Sequence, residues 1–229
     1  MTKISLNTKL VKDIFEWDRT NWAESIGFWE PWLNTPDTKK VLTLGEKHGG
    51  LTLLFALYGH SVTATDLEGV TERAYRLHEE YKVAEKITYS KANILQIPYE
   101  DNTFDIVGFK SVLGALRTRE NQMIAISEIH RVLKPGGVLL FAENLLSTKL
   151  HQFLRKKFIP WAHYWCYLDY KERELIFNRF SENTFRTHGI IGALAPSEDL
   201  RFAAGYFDKI LSPVFPSGSR YILFGACAK

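Results

Sequence analysis

Short apolar runs of strand length alternate with helical patterns through the middle of the chain. That alternation restricts it to an open, mostly parallel sheet with right-handed crossover helices on its faces. Val41-Leu42-Thr43-Leu44 reads as a buried strand, and Leu51 to Leu57 as a buried helix stopped at Gly59. Ser61 to Thr65 and Ile87 to Ser90 are further strands, separated by a polar helix predicted over 70–81. Phe104 to Phe109 gives a fourth strand. Met123, Ile126, Ile129 and Leu133 recur at helical spacing, which predicts a helix from Glu120 to Leu133. Lys134-Pro135-Gly136-Gly137 then turns the chain into a fifth strand, Val138 to Ala142. Tyr206 to Leu211 and Arg220 to Ala226, joined by a turn from Pro213 to Gly218, read as a closing antiparallel pair. The expectation is one seven-stranded α/β domain spanning 1–229. It would have a helical lead-in over 1–38, holding Trp17, Trp22, Trp29 and Trp32, and a helical, aromatic-rich insert over 145–200.

Composition narrows the function classes. With 229 residues, 45% hydrophobic and 24% charged, the chain can bury a substantial core. A formal charge of +3 is too small to imply nucleic acid without a clustered basic face. Its two cysteines, Cys166 and Cys227, form neither a CxxC pair nor a disulfide framework. Met1-Thr2-Lys3-Ile4-Ser5-Leu6-Asn7 lacks the apolar run of a signal peptide, and Leu51 to Tyr58 falls far short of the ~20 residues that span a membrane. A cytoplasmic setting is expected. No dense Asp, Glu and His set suggests a metal, and oligomeric state is left open.

The first loop carries the chemistry. A strand that enters a glycine-rich turn and then a helix brings backbone N–H groups close to a ligand. Here that turn is Gly45-Glu46-Lys47-His48-Gly49-Gly50. Asp66 ends the next strand about twenty residues on, where a carboxylate can accept both ribose hydroxyls of an adenosine cofactor. A dinucleotide pattern (glycines at 45, 47 and 50) and an S-adenosylmethionine (SAM) pattern (45, 47 and 49) each find two glycines of three, with Lys47 in the middle position of both. The alternative reading is a tight turn that only closes a strand against a helix.

Downstream segments separate the cofactors. Asn93-Ile94 followed by Ile97 to Val107 resembles the segment between the third and fourth strands of class I SAM-dependent methyltransferases. Glu128-Ile129-His130-Arg131-Val132-Leu133-Lys134-Pro135-Gly136-Gly137 resembles the helix and turn before their fifth strand. The glycine loop is also similar to that of family members from bacterial surface-polysaccharide loci. The resemblance implies that Gly45, Glu46 and Gly49 line the methionine part of SAM and that Asp66 holds the ribose, with Leu67, Asn93 and Ile94 around the adenine. It places Lys110 at the cofactor's edge, with Ser111 beside it. Three positions depart from the family pattern: Thr43 for a common acid, Asn93 for a frequent Asp, and Lys47 for a glycine. Lys47 either meets the methionine carboxylate or marks a degenerate loop, in which case the chain is a non-catalytic binding module.

Methyl transfer to a hydroxyl usually wants a base. Glu143 and His151 are the candidates, each with a purely structural alternative (a cap or ion pair, and a solvated helix position). The expected acceptor is a small molecule or glycan, methylated at oxygen. Leu150, Phe153, Leu154 and Phe158 share one helical face, with Lys149, Arg155, Lys156 and Lys157 elsewhere. Pro160, Trp161, His163, Tyr164, Trp165, Tyr167 and Tyr170 follow. Such a segment can cover a substrate, rest on an anionic membrane surface, or simply pack as a cap.

Overall fold

The computed structural model describes Ile4 and residues 6–229, with the side chain of Trp161 outside the described set. Met1, Thr2, Lys3 and Ser5 of the N-terminal stretch read above also lie outside it. Asn7 opens the first helix, its side chain accepting the N–H of Leu10 at 2.9 Å. Three helices follow: α1 (Thr8–Phe15), α2 (Arg19–Trp22) and α3 (Glu24–Leu33). The alternating part comprises β1 (Lys40–Leu44), α4 (Gly50–Leu57), β2 (Ser61–Asp66), α5 (Glu72–Glu80), β3 (Ile87–Lys91), β4 (Phe104–Lys110), α6 (Arg119–Val132) and β5 (Leu133–Asn144). After it come α7 (Lys149–Phe158), α8 (Arg173–Ile176), β6 (Glu182–His188), α9 (Glu198–Val214) and β7 (Ile222–Ala228).

The seven strands lie in the order β3-β2-β1-β4-β5-β7-β6. The first five are parallel, and β7 runs antiparallel between β5 and β6. The expected mixed sheet with a closing antiparallel pair is therefore present. Its strands β1, β4, β5 and β7 are apolar on both faces, as a sheet covered on both sides requires. Helices α1 to α4 cover one face through Trp22, Trp29, Leu33 and Phe55, all fully buried. The other face packs α6 and α8 through Ile126, Ile129 and an aromatic stack in which Phe141 meets Phe109 at 5.3 Å and Phe177 at 4.6 Å. No described helix is long and apolar enough to cross a membrane.

Two expectations need correction. Tyr206 to Leu211 is not a strand but part of α9. The edge strand of the closing pair is β6, inside the stretch over 145–200 for which the sequence predicts helices. Ser197 caps α9, accepting the N–H of Leu200, and Glu198 and Asp199 in the first turn favour the helix dipole. Only Gly205, Asp208 and Ser212 of α9 are buried, so its apolar residues face outward and imitate a strand pattern.

Candidate active site

Ligands in open parallel sheets bind beyond the carboxyl ends of the strands, where strand order reverses. Here the reversal falls between β1 and β4. The loop after β1, the ends of β2 and β3, and the end of β4 bring together Gly45, Glu46, Lys47, Gly49, Asp66, Leu67, Asn93, Ile94, Lys110 and Ser111.

Glu46 fastens the glycine turn. Its backbone N–H donates to the Thr65 carbonyl at 2.9 Å, and its buried carboxylate accepts the N–H of Thr52 in α4 at 2.8 Å. Burial pushes this carboxyl above its usual range, opposed by the Thr52 N–H and by the nearby Lys110 cation. Lys47 does no damage to the turn. Among the described residues of the loop, positive φ occurs only at Gly45 (70°) and Gly49 (79°), so position 47 never needed a glycine's freedom. Its carbonyl accepts from Thr71 (N–H at 2.9 Å, hydroxyl at 3.0 Å), and its residue is exposed at the rim. Thr43, standing where an acid is common, hydrogen-bonds the hydroxyl of Thr52 at 2.7 Å inside the core.

Asp66 offers the acid. One oxygen accepts the Glu68 N–H at 3.2 Å, which leaves most of its accepting capacity open. Leu67 beside it is 61% exposed, a large apolar surface suited to a flat ring. Asn93 closes an Asx turn onto the Leu95 N–H at 3.0 Å, and Ile94 is buried beneath it. A shallow groove runs past Leu67, Lys91, Asn93, Gln96 and Pro98 on this side. Lys110 holds its ammonium 5.3 Å from the ring of Trp22, and burial lowers its pKa against the pull of Glu46, Glu16 and Glu143. Ser111 follows at φ 57°, accepting the Asn144 side-chain N–H at 2.8 Å. The chemistry and placement of these groups fit an adenosyl cofactor: a carboxylate for the ribose, apolar surface for the base, and a tight turn for the amino-acid end.

Next to this crevice lies a cavity of about 500 Å³. Ser111 and Asn144 form its floor at the ends of β4 and β5. Tyr164, Trp165 and Tyr167 form one wall, Trp17 and Tyr221 another. Arg155 from α7 and Arg201 from α9 complete it.

Neither expected base lines this cavity. His151 is buried with both ring nitrogens engaged. Nε2 donates to the Ile190 carbonyl at 2.6 Å, so Nδ1 accepts, from the Thr148 hydroxyl at 2.7 Å. That histidine pins α7 to the loop after β6, and burial holds its pKa below the ordinary value. Glu143 is wholly buried. Its oxygens accept the N–H groups of Leu113 (2.7 Å) and Asn144 (2.8 Å), tying the turn after β4 to the end of β5. Its role in the geometry is to shape the floor. On α7, Leu150, Phe153 and Phe158 are exposed, while His151 and Arg155 point inward.

Burial lifts the Glu143 carboxyl to about 7 against the pull of its backbone N–H partners. A raised carboxyl binds its proton in the fold at a pH where the unfolded chain has lost it. Stability from this group therefore falls as pH rises from the ordinary carboxylate range to about 7, and is flat above. Glu143→Gln lacks that dependence. Its stability relative to the parent is expected to improve by about 3 kcal/mol between pH ~4.5 and ~7.5, on top of a pH-independent loss of one acceptor. Urea denaturation across that range is the measurement, and a constant difference would show that Glu143 is ionised throughout.

Arg201, Tyr221 and Trp17 were not singled out as site residues from the sequence. Arg155 had one legible signal: it lies four residues from His151 and so shares its inward face.

Residues 42–141 match the family model described as a methyltransferase domain. The fold is the Rossmann-like fold seen in solved methyltransferases. Among solved structures, phosphoethanolamine N-methyltransferase 2 of Haemonchus contortus, in complex with SAM, superposes with a TM-score of 0.64 at 17% identity, covering 91% of this chain and 52% of that one. A putative methyltransferase from Bacillus halodurans gives 0.61 at 17% identity, covering 90% of this chain and 99% of that one. In sequence, an uncharacterized protein of Haemophilus influenzae is 35% identical over 50% of this chain and 46% of its own. The ubiquinone/menaquinone biosynthesis C-methyltransferase of Shewanella pealeana is 33% identical over 51% of this chain and 46% of its own. The chain thus spans about half the length of the curated relatives it matches.

Proposed function

We propose that the chain is a SAM-dependent methyltransferase acting at an oxygen of a small-molecule or glycan acceptor. The observation that carries this reading is the junction at Ser111, where a crevice fit for an adenosyl cofactor meets an aromatic-walled cavity. Asp66 would hold the ribose, Leu67, Asn93 and Ile94 the adenine, and Gly45, Glu46, Lys47 and Gly49 the methionine end. Lys110 and Ser111 border the reacting side. When bound, SAM supplies an electrophilic methyl group on a sulfonium. The protein's part is alignment, which on so reactive a donor provides much of the rate. Ser111 and Asn144 offer hydrogen bonds to an acceptor hydroxyl, and Tyr164, Trp165 and Tyr167 suit a flat ring or the apolar face of a sugar. Outside the cavity, α7 presents Leu150, Phe153 and Phe158 beside exposed Lys149, Lys156 and Lys157, a pattern that supports peripheral contact with an anionic lipid surface. Two unpaired cysteines support a reducing, cytoplasmic setting.

Calorimetric titration with SAM and S-adenosylhomocysteine tests the reading, and no binding of either at millimolar concentration would sink it. Asp66→Ala is expected to weaken SAM binding by about 1–3 kcal/mol, roughly 5- to 150-fold, because two ribose hydroxyls lose an acceptor. Unchanged affinity would remove Asp66 from the ribose.

A further inference from the structure

Arg155 is an unusual cation. Its guanidinium is largely enclosed, lies 4.3 Å over the Tyr167 ring, and donates through one nitrogen to the carbonyls of Leu145 (2.7 Å) and Leu146 (3.3 Å). It makes no salt bridge with any described residue. Burial pulls its pKa down, and the groups that oppose this are the phenols Tyr167 and Tyr221 rather than a carboxylate. A buried charge without a counter-ion is costly, and proteins seldom leave one so unless something else completes it.

Arg201 lines the same cavity from the opposite helix. One end of its guanidinium pairs with Glu198 at 2.7 Å, while its Nε–H is buried without an acceptor. Among the described residues lining the cavity there is no Asp or Glu. Two guanidiniums and no lining acid therefore share one aromatic-walled space.

We propose that this cavity takes an acceptor carrying a carboxylate on a flat aromatic body, the carboxylate bridging Arg155 and Arg201. A planar fork of donors matches a carboxylate in shape as well as charge. The aromatic wall takes the body of the ligand by stacking. This proposal rests on the methyltransferase reading for the word acceptor, but its ligand chemistry stands on the cavity alone.

The test uses the full chain and three probes in calorimetric titration: 2-naphthoate, its neutral isostere 2-naphthamide, and glucuronate. The expected result is 2-naphthoate binding at least tenfold tighter than 2-naphthamide, and tighter than glucuronate. Arg201→Gln and Arg155→Gln should each erase most of the preference for carboxylate over amide, while Arg201→Lys keeps part of it. Thermal melts check folding. Should Arg155→Gln fail to fold, because Leu145 and Leu146 lose their donor, Arg201→Gln and the carboxylate–amide comparison decide the matter. Equal binding of acid and amide, or a preference that survives loss of Arg201, overturns the proposal. Tighter binding of glucuronate overturns its aromatic part. A parallel titration with S-adenosylhomocysteine keeps the two readings apart. S-adenosylhomocysteine binding without carboxylate preference sinks only this inference, and the reverse sinks only the methyltransferase reading.

Discussion

Asp208→Ala is expected to lower the free energy of unfolding by about 4 kcal/mol, a large share of what a domain of this size possesses. Asp208 lies on α9 with no exposed surface. One oxygen accepts the N–H groups of Ile190 (2.9 Å) and Ile191 (2.8 Å), the other that of Gly192 (2.9 Å) and the amide of Asn21 at 3.1 Å. Alanine leaves these buried donors without their acceptor, and each such donor costs about 1–3 kcal/mol where water cannot reach it. The damage would spread along the network. Asn21 also lies 2.7 Å from the Tyr221 hydroxyl, which in turn donates to Asp18, a buried carboxyl lifted by desolvation to about 7. Tyr221 lines the acceptor cavity, so the cavity should loosen with the fold. Urea denaturation measures the loss. A change under about 1 kcal/mol would show that water replaces the carboxylate, and that the loop after β6 is more open than its contacts indicate.

The parallel half of the sheet was readable because β1, β4 and β5 are apolar on both faces and α6 carries a one-sided stripe. In β1, four of five residues are buried, and α6 shows its stripe at Ile126 and Ile129. The antiparallel edge was not readable, for a physical reason. β6, Glu182–His188, is an edge strand whose residues are mostly half-buried or exposed, so it carries no apolar run. Helix α9 inverts the usual logic. Its buried positions are Gly205, Asp208 and Ser212, spaced for a helix but polar, while Phe202, Tyr206, Phe207 and Ile210 are more than half exposed. A pattern reading assigns those apolar residues to a core that they do not enter.

The same division holds at the site. The side proposed for the cofactor is local: a turn, and an acid at the next strand tip, are fixed by backbone geometry within about twenty residues. The acceptor side is assembled from Trp17 ahead of α2, Arg155 on α7, Tyr164 to Tyr167 in the following segment, and Arg201 on α9. No spacing rule connects those positions. His151 misled for a related reason. A histidine three residues past a threonine at a helix start can be a catalytic group or a pin, and only the Ile190 carbonyl 2.6 Å away decides for the pin.

Gly49→Ala is expected to cost about 2–5 kcal/mol of stability and to weaken SAM binding at least tenfold, because two separate penalties meet at one residue. The first is conformational. Gly49 sits at φ 79°, ψ 11°, where an L-residue loses about 1–2 kcal/mol. The second is steric. A Cβ there would lie 2.6 Å from Cε1 of His78 and 2.9 Å from the Cβ of Ala74, both on α5. His78 cannot swing aside freely. Its Nε2–H donates to the Gly49 carbonyl at 2.9 Å, so Nδ1 accepts from the Tyr89 hydroxyl at 2.9 Å, and moving the ring breaks both bonds. If the backbone yields instead, the start of α4 shifts and Glu46 loses its 2.8 Å bond to the Thr52 N–H, which opens the turn expected to hold the methionine end. Gly136 supplies the control. At φ 75° it has the same conformational demand, yet a Cβ there would meet nothing within 4 Å. Gly136→Ala should therefore cost only about 1–2 kcal/mol and leave SAM affinity unchanged. Equal losses at the two positions would mean that α5 gives way without resistance, and that the crevice is held by the glycine's backbone angles alone.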